Sequence, residues 1–432
     1  MNHEKILIKN ERAGESYYRI KHPSGLTVYV MELPGFCGTS AMFGTKYGSM
    51  DAVFKTSEDS DFITVPDGIA HFLEHKLFEN EDCQAYDLFA KTGASANAYT
   101  TFNRTEYYFD CTDNFEESLR ILLDFVQKPY FTQESVDSEQ GIIGQEIKMC
   151  EENPYRRVFF ELLKAVYKNH PVRIDIPGTV ESIKRIDAEL LYRCYNTFYN
   201  LNNMVLSVAG NCRVDDVLRI ADEMLAPSKD NGLISVLPDE PPVPAKKRVE
   251  VKMTVGVPLF AIGYKCEPCS GKEMLKNEYA SAFLMSTLFG QTSEFFKKNS
   301  ASGLINQSFE TETDDGEGYF MNSATGESPD PDEVYRLMNL EIERARREGL
   351  SREEFEEFKR SSYGAQIRIF NDVSEVAEQM IRSHMAGFGA FDPVDVLAGL
   401  EFDDVASRLD RLLDPSRSAI SIIMPNDRQK ES

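Results

Sequence analysis

The sequence predicts an α+β fold of two homologous repeats, each a mainly antiparallel sheet covered by helices on one side. Three observations carry this expectation. The chain has 432 residues, too many for one ordinary core and suited to two or more domains. A stretch rich in Pro, Gly and charge, residues 226–247, reads as a semi-rigid linker. On either side of it, residues 1–225 and 248–432 show the same order of strand-like and helix-like patterns.

The first repeat opens with strand-like runs at 17–20, 26–33 and 40–46, followed by a helix over 68–78. Two alternating runs, 94–102 and 105–111, meet at Asn103-Arg104 as a hairpin does. Helical patterns then cover 114–127, 132–152, 156–168 and 187–198. A short apolar strand at 204–209 and a helix at 213–225 close the repeat. In the second repeat, strands are expected at 248–254 and 258–265 and helices at 274–289 and 293–299. Strands follow at 304–311 and 318–324, helices at 330–347, 351–369 and 373–386, and a closing strand at 419–424. The matching order suggests an internal duplication.

The formal charge is −24, from 47 basic and 71 acidic residues. That balance argues against nucleic acid and against an anionic membrane surface, and leaves basic or neutral peptides as partners. The opening Met1-Asn2-His3-Glu4-Lys5 carries no secretory pattern and no apolar stretch spans a bilayer, so the expected location is cytoplasmic. Eight scattered cysteines do not make a disulfide scaffold. Cys266-Glu-Pro-Cys269 lacks the second ligand pair of a structural zinc site and reads as two ordinary thiols in a turn.

The informative motif is Gly68-Ile-Ala-His71-Phe-Leu-Glu74-His75-Lys-Leu-Phe78. On a helix, His71 and His75 stand one turn apart on a shared face, so two imidazoles can converge on one ion. Glu74 lies beside that face. The order His-x-x-Glu-His reverses the commoner zinc-peptidase helix, yet it too sets a base next to two ligands. The apolar flanks Ile69, Ala70, Phe72, Leu73 and Leu77 imply a buried helix, where unpaired histidines are costly. Catalytic zinc takes three protein ligands and leaves its fourth position to water. About seventy residues later, Glu139 and Glu146 are two turns apart on another helical pattern. One of them can bind the ion while the other orients a histidine. Glu151 and Glu152, at the frayed end before Asn153-Pro154, are weaker candidates.

With these pieces the chain resembles the pitrilysin/insulinase superfamily of inverted-motif zinc peptidases, which includes the mitochondrial processing peptidases. The resemblance rests on GIAHFLEHKLF, on Ser95-Ala-Asn97-Ala98-Tyr99-Thr100, on Glu139 to Met149, and on Asn169-His170-Pro171 through Gly178-Thr179. It covers most of the first repeat; the second matches only as a fold-level repeat. It is nearest in wording to small bacterial members with one pair of repeats. The resemblance implies one Zn2+ per chain, held by His71, His75 and Glu146. It also implies Glu74 as general base, Glu139 as partner of a ligand, and a second, metal-free repeat. An exposed edge strand with Ala96, Asn97, Ala98 and Tyr99 would pair with the peptide main chain, since unused edges are usually blunted by charge or proline.

One departure stands out. Active relatives often carry an Arg and a Tyr near a Gly-Leu in the second repeat, gripping the substrate carbonyl and the oxyanion. Here 293–306 holds neither: Ile305 or Asn306 takes the Tyr position and no Arg aligns. The expected function is a zinc endopeptidase acting on short or unstructured peptides in a chamber closed by a second chain. That chain is a related subunit in a heterodimer or a second copy in a homodimer. The alternatives are a non-catalytic peptide-binding or assembly subunit of the same fold, and a purely structural zinc site.

Overall fold

The computed structural model describes residues 3–81 and 83–426. In chain order the elements are β1 Lys5–Asn10, β2 Glu15–Lys21, β3 Thr27–Glu32, β4 Thr39–Thr45, β5 Val53–Lys55, β6 Ile63–Thr64, α1 Ile69–Leu77, α2 Ala85–Thr92, β7 Ser95–Thr100 and β8 Thr105–Cys111. Then come α3 Phe115–Gln127, α4 Gln133–Glu152, α5 Pro154–Val166, α6 Val180–Ile183, α7 Ala188–Phe198, β9 Met204–Gly210, α8 Val214–Met224 and β10 Ile234–Ser235. The remainder comprises β11 Arg248–Met253, β12 Leu259–Lys265, α9 Gly271–Phe289, α10 Glu294–Ala301, β13 Glu310–Gly316 and β14 Tyr319–Glu327. It continues with α11 Pro331–Glu348, α12 Arg352–Arg368, α13 Val373–Ala386, short helices, and β15 Ser418–Pro425.

The duplication is visible in the sheets. The first runs β1-β2-β3-β9-β4-β8-β7 and the second β11-β15-β12-β14-β13. The last five strands of the first sheet therefore match the whole of the second. In each set the opening pair is parallel (β3 with β9, β11 with β15) and the rest antiparallel. The first sheet buries Val28, Val30, Phe43, Tyr107, Phe109, Leu206 and Val208 against α1, α3 and α8. A small sheet, β10-β5-β6, uses part of the 226–247 segment.

The contacts divide the chain differently from the sequential cut at 226–247. One compact unit takes the residues through Ile147 with Asp175–Leu237 and Gly364–Asp395. The other takes Lys148–Ile174, Pro238–Tyr363 and the stretch from Val396 onward. The reason is two-sided burial: β4, β9 and β12 are buried along their whole length. Helix α13, from late in the sequence, lies on β3, β4 and β9, and α5, from early in it, lies on β11, β12 and β15. Small residues admit both helices. A Cβ on Gly44 would stand 2.7 Å from Ile381 Cδ1, and one on Gly263 3.2 Å from Leu162. Ser207 Oγ donates to the Ala377 carbonyl at 2.8 Å.

The strand expected at 304–311 lies further on. Leu304 to Phe309 is irregular, anchored by buried Ile305 and Phe309, and the strand is Glu310–Gly316. Cys266 is buried and Cys269 half-buried, and both are free thiols. Among the described residues no helix is long and apolar enough to cross a membrane.

Candidate active site

Helix α1 begins at Gly68, whose φ of 92° lies in the left-handed region that favours glycine. A side chain there would also strike the Pro177 carbonyl, 2.4 Å from an ideal Cβ, and one on Gly178 would strike the Asp67 carbonyl at 2.5 Å. Two glycines thus let the start of α1 and the 177–178 loop touch backbone to backbone. Ser182, in the Thr179–Ser182 capping box of α6, adds a hydrogen bond to the Asp67 carbonyl at 2.8 Å. Ile69, Ala70, Phe72, Leu73 and Leu77 are buried, as their pattern predicts, which fixes the rotation of the helix and presents the His71–His75 face.

That face meets α4. His71 Nε2 stands 3.5 Å from Glu146 Oε1 and His75 Nε2 stands 3.6 Å from Glu146 Oε2. The imidazole rings are 4.6 Å apart, tilted by 57°. One ligand atom from each of His71, His75 and Glu146 lies within 4.8 Å of the others. Two donors on a tetrahedral zinc, each at about 2.05 Å, are about 3.3 Å apart, so this set fits that ion with small adjustment. Glu139, two turns before Glu146, accepts a hydrogen bond from His75 Nδ1 at 3.0 Å. A carboxylate can only accept, so Nδ1 carries the proton and Nε2 keeps its lone pair on the side that faces Glu146. Glu151 and Glu152 are exposed at the end of α4, outside this cluster. Among the described residues, the second compact unit contains no comparable His/Cys/Asp/Glu group.

Glu74 is half-buried, and its Oε2 accepts a hydrogen bond from Thr100 Oγ1 at 2.7 Å. Burial raises its carboxyl pKa above the usual value, against the Thr100 hydroxyl and the His75 ring, which pull it down. His75 is also raised: burial disfavours its charged ring, but Glu139, Glu74 and Glu146 outweigh that. Thr100 ends β7, so one hydroxyl links Glu74 to the edge strand. Sequence reasoning missed this role; the only signal is the position of Thr100 at the end of the Asn-Ala-Tyr-Thr run.

Strand β7 pairs with β8 alone and is an edge of its sheet. Thr101 N–H bonds to the Arg104 carbonyl at 2.8 Å. Bonded pairs alternate along an antiparallel ladder, so in the observed register Ala96 and Ala98 turn N–H and C=O to the free edge. The Asn97 side chain accepts from the Ala98 amide at 2.9 Å. Tyr99 is otherwise engaged: its hydroxyl donates to buried Glu106 at 2.9 Å, and Arg104 pairs with the same carboxylate.

Two family profiles match the chain: "Insulinase (Peptidase family M16)" over residues 65–180 and "Peptidase M16 inactive domain" over 185–362. The chain is 37% identical to the uncharacterized zinc protease YmfH of Bacillus subtilis, across 97% of this chain and 99% of that one. It superposes on the crystal structure of a putative M16-like peptidase from Alicyclobacillus acidocaldarius with a TM-score of 0.90 and 33% identity, covering 99% of each. Pitrilysin shares the fold at a TM-score of 0.76 and 15% identity; 99% of this chain covers 47% of that one.

Proposed function

Because the chain belongs to peptidase family M16, the insulinase family, we propose that it is a zinc-dependent endopeptidase of short or unstructured peptides. The observation that carries the reading is the convergence of His71, His75 and Glu146, with Glu74 beside them and Glu139 holding His75. A purely structural ion would use a fourth protein ligand. Here a carboxylate stands in the base position instead.

Zinc, when bound, supplies Lewis acidity toward a water and toward the scissile carbonyl. Glu74 takes the proton of the attacking water and returns it to the departing amine. Thr100 holds the Glu74 carboxylate, and Glu139 fixes the tautomer of His75. The free edge of β7 offers Ala96 and Ala98 amides and carbonyls to an extended peptide, which would replace the Asn97 side chain at the Ala98 N–H.

A proline at that edge removes a donor without breaking the β7–β8 ladder. Ala98→Pro is therefore expected to leave zinc content unchanged and to lower kcat/KM on an unstructured peptide about tenfold or more. Unchanged kinetics would remove β7 from substrate binding.

The oxyanion donors are to be sought in a second chain. Residues 293–306 lack the Arg and Tyr of active relatives, and losing one such donor costs about 10²–10³ in rate. We propose that a related chain closes the chamber and supplies them, a second copy being the alternative. The decisive assay follows a panel of unstructured peptides with and without chelator. It uses the chain alone and then with a related chain that carries the Arg and Tyr but lacks HxxEH. The expected result is weak chelator-sensitive hydrolysis alone and a large gain with the partner. Full activity alone, unaltered by the partner, would place the donors within this sequence. No hydrolysis in any combination would favour the non-catalytic, peptide-binding reading.

A further inference from the structure

We propose that the chain has a second divalent-metal site, formed by His3, His22 and Asp222. It is far from HxxEH in sequence, and its three residues come from three elements. His3 precedes β1, His22 follows β2, and Asp222 lies on α8. His3 Nε2 stands 3.0 Å from Asp222 Oδ2, and His22 Nε2 stands 3.1 Å from Asp222 Oδ1. The two imidazoles are stacked, 5.1 Å between centroids and 24° between planes. Their side chains are only 4% and 3% exposed. One ligand atom from each residue lies within 4.8 Å of the others, as in the His71–His75–Glu146 group.

A histidine held by an aspartate is an ordinary buried pair, and one imidazole suffices for it. Here two buried rings aim the same nitrogen at the two oxygens of one carboxylate. Two imidazoles and a carboxylate are a donor chemistry that suits zinc, cobalt or nickel. Ser24 provides the outer contact: its Oγ is 2.8 Å from His22 Nδ1. The Ser24 amide donates to the same nitrogen at 3.2 Å, so Nδ1 is the accepting nitrogen of this ring. His22 Nε2 donates to Asp222 Oδ1 at 3.1 Å, and an ion held there would take the place of that proton. A cavity of about 360 Å³ opens beside the group, lined by His3, Lys5, Asp215, Arg219, Asp222 and Glu223 among others. It leaves room for water in the remaining coordination positions. Its cations already face carboxylates, Lys5 at Asp215 and Arg219 at Glu116, Asp216 and Glu223. An ion there would clamp the edge strand β1 and the end of β2 to α8, stabilising the folded state by mass action.

The test uses full-length protein, zinc analysis after equilibration and gel filtration, and Co2+ titration followed by visible absorption. Wild type is expected to hold two ions per chain. The His71→Ala/His75→Ala variant should hold one, show a cobalt spectrum and gain several degrees of Tm on adding zinc. Adding Asp222→Asn to that variant should abolish all three signals. Because Asp222 supports the fold, His3→Gln is the second variant; in the otherwise native chain it should lower the count from two to one. Overturning results are a His71→Ala/His75→Ala protein that binds no zinc or cobalt, or a His3→Gln protein that still holds two ions.

Discussion

The Glu74→Gln protein is expected to keep its zinc and to lose peptide turnover by about 10²–10⁴-fold, the usual contribution of a positioned general base. Gln preserves the shape of the side chain and still accepts from Thr100 Oγ1, so the β7–α1 contact survives. What disappears is the ability to take a proton. The converging ligand atoms of His71, His75 and Glu146 do not include Glu74, so metal content should match wild type. Metal analysis beside kcat and KM on one unstructured peptide checks both halves of this expectation. A fall in kcat at nearly constant KM is the signature sought, since the base acts on water rather than on peptide binding. Turnover within tenfold of wild type, with zinc retained, would remove Glu74 from the base position.

How much of this was legible in the sequence depended on whether the signal was local. Helix α1 carries its histidine face, its buried face and its starting glycine within eleven residues, so the motif alone singled out His71, Glu74 and His75 as neighbours. The pairing of Glu139 and Glu146 was legible as a two-turn spacing. Which carboxylate faces Nδ1 of His75 and which faces Nε2 was not, because that depends on how α4 packs on α1. Strand β13 was displaced because its residues, Glu-Thr-Glu-Thr-Asp-Asp-Gly, carry no apolar alternation; the buried Ile305 and Phe309 just before it drew the reading forward. The exchange of α5 and α13 was hidden for another reason. An amphipathic helix records that it has a buried face, not which sheet covers it. Gly44 and Ser207, which admit α13 to the far side of β4 and β9, read in sequence as weak strand residues. The His3–His22–Asp222 group escaped notice because Asp222 stands 200 residues from His22 in the sequence.

The ligand assignment makes the other large prediction. His71→Ala, His75→Ala and Glu146→Ala should each strip the ion from the HxxEH site and abolish chelator-sensitive hydrolysis. Glu139→Gln should retain the ion with affinity weakened about 10–100-fold. The ranking follows from geometry. Glu146 offers one oxygen to each histidine Nε2, at 3.5 and 3.6 Å, close to the spacing of neighbouring ligands on one ion. Glu139 spends its Oε1 on His75 Nδ1, the nitrogen on the far side of the ring from Glu146. Its loss costs orientation and basicity of a ligand, not a ligand. Gln at 139 still accepts from Nδ1, which is why a partial effect is expected and Glu139→Ala should be more severe. The measurement is zinc affinity by competition with a chromophoric chelator, with circular dichroism to confirm folding. It is best made in chains that also carry His3→Gln, so that an ion on His22 and Asp222 does not mask the loss. A folded Glu146→Ala protein with wild-type affinity would overturn the third-ligand assignment. Glu139 would then be the first alternative and Glu151 or Glu152 the next, although the exposure of the last two at the end of α4 places them outside the cluster as it stands.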